Sequence, residues 1–280
     1  MRASYTAPFV DRLLADKVQV GWVGGISAGA SHTVDYLSGN RARTRESFVE
    51  FPAMKEAGGL QSLARGRGYF DAEFIYNIAG LPGGVFPFDY ESFATHPAQF
   101  HVETVDATTG ETVLIDRSNY GGNLLGLMDW VRASSTMPGL MVMPTIGGVN
   151  YVDGALGDSG GIPIAAAEAA GFTRFAVVLT RERDFFREPI PTAEQRLLQR
   201  MFKDYPLLPE LIITRWERYN AAKRRVQELE EQGKAQVFYP DTMPVTNRER
   251  EFEKLAVSYR LGETQVEIEW PEWLKFFTRT

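Results

Sequence analysis

The chain has no cysteine among its 280 residues. Disulfides, thiolate nucleophiles and Cys-ligated metals are thereby excluded, and a cytoplasmic setting is compatible with that composition. Histidine is nearly as scarce: His32, His96 and His101 are the only three, and none follows position 101. An α/β-hydrolase triad runs Ser, then Asp or Glu, then His, so a nucleophilic serine here needs a base other than a late histidine. No apolar run approaches the roughly 18 residues of a spanning helix, and the first residues lack the apolar stretch of a signal peptide. A basic excess is missing too. Thirty Lys and Arg against 36 Asp and Glu give a net charge of −6, which argues against a nucleic-acid partner.

What is present suits one large α/β domain with a small appended cap, at 44% hydrophobic residues. Its centre is the stretch from Val18 to Ala30. An apolar, β-branched run predicts a strand buried on both faces over Val18 to Val23, and Gly25-x-Ser27-x-Gly29 leads from it into a small-residue helix. A nucleophile on such a turn sits in a strained conformation, with glycines letting neighbouring backbone pass. The hydroxyl then stands at a helix N-terminus, where backbone N–H groups favour developing negative charge. The same residues have phosphate-loop spacing from Gly24 to Gly29. Ala30 stands where that loop needs lysine, and no lysine occurs between Lys17 and Lys55, so a nucleotide site is rejected.

Along the chain, Phe9, Val10, Leu13 and Leu14 predict an opening helix, and Ala28 to Leu37 a second one ending at Ser38-Gly39-Asn40. Arg41, Arg43, Arg45, Arg65 and Arg67 fall in a charged segment. They could meet an anionic headgroup, but a solvated face is favoured. Gly80 to Tyr90 is an aromatic loop, read as a satellite core cluster ahead of an acyl cleft or membrane contact. Gln99 to Val105 alternates like a half-buried strand that pairs with Glu111 to Asp116, which makes His101 a strand residue. Asp153-Gly154 follows a short strand and is either a turn or a carboxylate exposed on a Gly-rich loop. Short strands at Met141 to Met143 and Val149 to Val152, and a buried one at Phe175 to Thr180, give a βαβ rhythm. Helices are expected over 192–202, 208–232, 250–261 and 263–276, with a strand at 235–239.

Three of these blocks together resemble the patatin-like phospholipase family in its bacterial branch. Gly25-Ile26-Ser27-Ala28-Gly29 is similar to its nucleophile elbow. Ala133-Ser134-Ser135-Thr136-Met137-Pro138 is similar to its A-S-S-A-x-P loop, with Thr136 for the usual alanine. Asp153-Gly154-Ala155 is similar to its D-G-[GA] motif. The resemblance implies a three-layer α/β/α sandwich with a mostly parallel central sheet over 1–182, and a helical C-terminal extension, 183–280, on the same core. It also implies a Ser27–Asp153 dyad, which fits the missing late histidine, and acyl transfer from lipid carboxylic esters. Gly25, Ala28 and Gly29 would shape the elbow and oxyanion donors, and Gly154 and Ala155 would complete the second motif. Met1-Arg2-Ala3 is similar to the tail of the family's G-G-G-x-[KR]-G oxyanion loop, with Arg2 at the basic position; its strand and glycines would precede residue 1, or the chain has lost them.

The resulting expectation is a lipid acyl hydrolase that uses no metal and no cofactor, acts on a lipid or other ester, and binds no nucleic acid. Transient membrane-surface contact and a cytoplasmic, peripheral inner-membrane location belong to it; oligomeric state stays open. The alternative is a catalytically impaired binding or regulatory protein of the same fold.

Overall fold

A computed structural model describes residues 1–278. Its helices are α1 (Ala3–Ala15), α2 (Ala28–Ser38), α3 (Arg41–Glu46), α4 (Glu50–Ala53), α5 (Leu60–Ala64), α6 (Tyr90–Thr95), α7 (Leu124–Ser135), α8 (Ile164–Ala169), α9 (Thr192–Met201), α10 (Leu208–Glu231) and α11 (Phe252–Thr278). The strands are β1 (Trp22–Gly25), β2 (Gln99–Asp106), β3 (Thr112–Ile115), β4 (Thr145–Ile146), β5 (Val149–Asp153), β6 (Phe175–Val178) and β7 (Ala235–Phe238). Local chemistry sets several boundaries. Gly39, at φ 68°, ends α2 in the left-handed conformation that glycine adopts without a Cβ penalty. Asn123 caps α7 by accepting from the Gly126 N–H at 3.0 Å.

The sheets are mixed. β1 runs parallel to β2, with Trp22 opposite Gln99 and Gly25 opposite Val102. β3 and β5 flank β2 antiparallel, and β4 pairs with β5. β6 and β7 form a separate parallel pair. On β2, Phe100 and Val102 point to the core of α2 and α7, whereas Val105 joins Val152, Phe202 and Leu208 on the other side. Helices therefore cover both faces, as an α/β/α arrangement requires.

Four details depart from the sequence reading. β2 is buried along nearly its whole length, not half-buried, because helices lie on both of its sides. The strand expected over Val18 to Val23 starts at Trp22, and β1 is only part-buried, for it lies at the edge of its sheet. Met141 makes a single bridge to Gly68, and the short strand before β5 is β4. The helices expected over 250–261 and 263–276 are one helix, α11. Gly262 does not break it; its bare Cα lets α1 approach so closely that a Cβ there would lie 1.9 Å from the Tyr5 carbonyl oxygen.

Candidate active site

Ser27 joins β1 to α2 at φ 59° and ψ −120°. Only Lys17 shares a positive φ among the described non-glycine residues. A conformation of this kind costs about 1–3 kcal/mol and persists where surrounding bonds hold it. Here the Ser27 N–H donates to Ser134 Oγ at 3.0 Å, and the Gly29 N–H and Ala30 N–H close onto Ile26 and Ser27 carbonyls at 2.9 Å. Gly25 is required by close approach: a Cβ would fall 2.1 Å from the Gly29 carbonyl oxygen. Gly29 is different, since nothing lies within 4 Å of a Cβ built on it and it borders open space. The Ala28 N–H, first in α2, has no acceptor among the described residues.

Asp153 ends β5 and is buried. Its N–H donates to the Thr136 carbonyl at 2.8 Å, and its Oδ1 accepts from the Ala155 N–H at 2.9 Å. Gly154 passes so close to β2 that a Cβ would lie 2.1 Å from the Glu103 carbonyl oxygen. Each residue of Asp153-Gly154-Ala155 thus has its own geometric task. The 133–138 segment binds both neighbours, Ser134 holding the elbow and Thr136 holding the Asp153 backbone, so one loop fixes the separation of Ser27 from Asp153. The Ser27 hydroxyl sits against the Asp153 carboxyl and favours its charged form, although no well-aligned hydrogen bond joins the oxygens. Burial nevertheless pushes the Asp153 pKa upward, against the opposing charge of Arg215.

Ser27 and Asp153 line a cavity of about 750 Å³, within the range of small-molecule sites. Arg2 and Ala28 line it as well. One part of its wall, Phe9, Leu13, Val178 and Phe277, belongs to a single apolar cluster. β1 and β6 both border the cavity, and neither has a second strand partner among the described residues.

Two of the three histidines lie away from the cavity and the third borders it. His101 Nε2 meets Glu103 Oε1 at 2.9 Å, and Glu103 Oε2 accepts from the Ser159 hydroxyl at 2.6 Å. His96 Nδ1 accepts from the Ala98 N–H at 3.2 Å. His32 borders the cavity, but its Nε2 is bonded to Thr6 Oγ1 at 3.0 Å. The arginines of the 41–67 segment are mostly ion-paired, Arg41 with Asp11, Arg43 with buried Asp35, Arg45 with Glu50 and Arg67 with Asp71. Of the 80–90 loop, Phe88 packs into the core of α2 and α7. Among the described residues, no group of three or more His, Asp or Glu side chains is placed to hold a metal ion. No helix among them is long and apolar enough to cross a membrane.

Sequence reading missed three contributions. Tyr76, on a π-helical turn at Glu73–Ile78, borders the cavity with Ser31 and Ser135. Arg181 and Arg187 come from the loop after β6, and Arg215 and Tyr219 from α10. No motif marks these positions; only the turn of α10 that puts Arg215 four residues before Tyr219 hints at a shared face. α10 also ties down the Asp153 loop, since Arg218 donates to the Leu156 and Gly157 carbonyls at 3.0 Å.

Comparison with known proteins agrees with this construction. The model of the patatin-like phospholipase family matches residues 1–167, and that of a domain of unknown function, DUF6363, matches residues 205–278. No match is found among curated proteins. The strained Ser27 turn, the clamping loop and the Asp153 turn all fall within the first match, which spans more than half of the chain: the protein belongs to the patatin-like phospholipase family, whose members are lipid acyl hydrolases.

Proposed function

We propose that the protein hydrolyses carboxylic esters of lipids through an acyl-serine intermediate, with Ser27 as nucleophile and Asp153 as its base. The observation that carries this reading is a serine held at positive φ at a helix N-terminus, facing a large cavity, with a buried carboxyl against its hydroxyl. Asp153 takes the Ser27 proton as Oγ attacks the ester carbonyl carbon. The Ala28 N–H is the first donor for the oxyanion, with Arg2 as the supporting charge. Collapse of the intermediate breaks the bond to the alcohol, which leaves with the proton from Asp153. Water then attacks the acyl-serine, gives its proton to Asp153, and releases the fatty acid as Ser27 regains its proton. The upward push on the Asp153 pKa makes the carboxylate a better base than an exposed aspartate.

Apolar walls beside this chemistry suit an acyl chain, and transient contact with a membrane surface would supply it. The test is hydrolysis of a short-chain p-nitrophenyl ester together with labelling by a fluorophosphonate. Ser27→Ala is expected to lose both signals, and Asp153→Asn to lose at least 10²-fold in turnover. Replacing His32, His96 or His101 should leave most activity. A histidine variant as inactive as Ser27→Ala would restore a histidine-based mechanism, and a wild-type protein inert to both reagents would favour a non-catalytic role for the fold.

A further inference from the structure

Four arginines from distant parts of the sequence meet at one side of the cavity: Arg2 ahead of α1, Arg181 and Arg187 after β6, and Arg215 on α10. Among the described residues none of the four forms an ion pair, and the Nε of each is buried without a hydrogen-bond partner. Like charges gathered this way repel, and burying a guanidinium donor unpaired costs free energy. Burial first, and the neighbouring arginines after it, draw Arg2 down to about 10 and Arg187 down to about 9. Of the carboxylates, the charge of Glu182 is felt at Arg2 and that of Asp153 at Arg215, two against four guanidinium groups.

The arrangement is built, not accidental to a flexible surface. Arg187 lies over the Tyr219 ring at 4.9 Å, and Arg181 over Phe185 at 4.2 Å. Asn220 on α10 holds the Arg187 backbone in both directions, at 2.8 and 2.9 Å. Lys223, fully buried, donates to the Glu182 and Phe185 carbonyls and fixes the same loop. Opposite Arg215, Gly161 carries no side chain, and a Cβ there would approach its Nη2 to 3.4 Å. α10 therefore fixes the loop carrying two of these charges and supplies a third.

We propose that Arg2, Arg181, Arg187 and Arg215 form a subsite for a phosphate monoester carried by the substrate, so that acidic acyl glycerols are taken in preference to zwitterionic or uncharged ones. This rests on the ester-hydrolase reading. A phosphate monoester brings a charge of about −1.5 to −2 at neutral pH and three acceptor oxygens, which matches several guanidinium forks. A zwitterionic headgroup would carry its ammonium into the same positive field. Since Ser27 lines the same cavity, one ligand can reach both places, with its acyl chain left to the apolar wall.

The experiment compares three esters with the same oleoyl chain: 1-oleoylglycerol 3-phosphate, 1-oleoylglycerophosphocholine and 1-oleoylglycerol. The expected result is a kcat/KM at least 10-fold higher for the phosphate monoester, with the difference in KM. Arg181→Gln and Arg187→Gln should each reduce that preference about 10-fold, and Arg187→Lys should recover part of it. In parallel, calorimetry measures glycerol 3-phosphate and inorganic phosphate binding to Ser27→Ala, with and without Arg187→Gln. Equal kcat/KM for the three esters, or preference for the choline ester, overturns the subsite while leaving the hydrolase intact. Binding of glycerol 3-phosphate that depends on Arg187, in a protein that cleaves no ester, supports the subsite and overturns the hydrolase. Inorganic phosphate binding as tightly as glycerol 3-phosphate, without ester preference, assigns the arginines to free phosphate and overturns the headgroup assignment.

Discussion

Ser27 and its two glycines show how differently three residues of one motif can act. Gly25 is demanded by backbone contact, whereas Gly29 leaves space facing the cavity. Gly25→Ala should therefore lower Tm by several degrees, because a Cβ at 2.1 Å from backbone forces the elbow apart. Gly29→Ala lies in a helix with no clash, so thermal unfolding should show equal or higher Tm, by up to about 1 kcal/mol of helix propensity, with ester turnover reduced by the methyl group. A loss of Tm at both positions would mean that Gly29 also serves packing.

Two buried side chains carry pH dependence of opposite kind. Burial draws His32 down to about 4, so the folded chain binds fewer protons than the unfolded one between about 4 and 6.5. Its contribution is complete above pH 6.5 and lost as pH falls toward 4, on the order of 3 kcal/mol. Asp35, pushed up to about 6 by burial, has the reverse sign over much of that window. The His32 part is therefore read from a difference: His32→Gln should flatten the acid limb relative to wild type in chemical denaturation from pH 4 to 7. On the proposed mechanism the raised Asp153 pKa carries over to turnover. Turnover should fall on acidification with a midpoint above the ordinary aspartate range, and Arg215→Gln should move that midpoint higher, since Arg215 holds it down.

At the scale of elements, Gly262 is the instructive case. As a sequence signal it reads as a helix stop, yet α11 runs through it, and Pro271 lies inside the same helix. Glycine is disfavoured in a helix by only about 1 kcal/mol, less than the packing it permits against α1. Gly262→Ala would raise intrinsic helicity but drive a Cβ to 1.9 Å from the Tyr5 carbonyl oxygen. The expected outcome is a drop of about 1–3 kcal/mol in stability by urea unfolding; a stabilised variant would show that α1 can move away at no cost. β2 teaches a related lesson. Its alternation of Gln99, His101 and Glu103 with apolar residues reads as a solvated face, yet His101, Glu103 and Ser159 bond one another in the interior. A polar side chain says only that a partner is needed, not that the partner is water.

Across the whole molecule, the C-terminal helices are packed into the elements that precede them. α11 packs along α1, and α10 supplies Arg215, the Arg218 bonds to the Asp153 loop and the clamp on Arg187. Residues 1–182 alone should therefore lack cooperative thermal unfolding and ester turnover, although they contain Ser27 and Asp153. A soluble, active, cooperatively melting fragment would show that residues 183–280 are dispensable.

Sequence alone determined what is enforced locally. The Ser27 turn needs glycine at 25 and a helix start at 28, and Asp153-Gly154-Ala155 closes its own turn; these constraints span a few residues, so spacing records them. Tertiary structure decided the rest. The arginines conspicuous in the sequence, Arg41 to Arg67, are spread over surface ion pairs and a buried one with Asp35, while the cluster at the cavity draws on positions 2, 181, 187 and 215. Charge density along a chain is set by neighbours in sequence, but the field in a cavity sums over neighbours in space, and only folding brings α10 and the loop after β6 to the cavity that Ser27 lines.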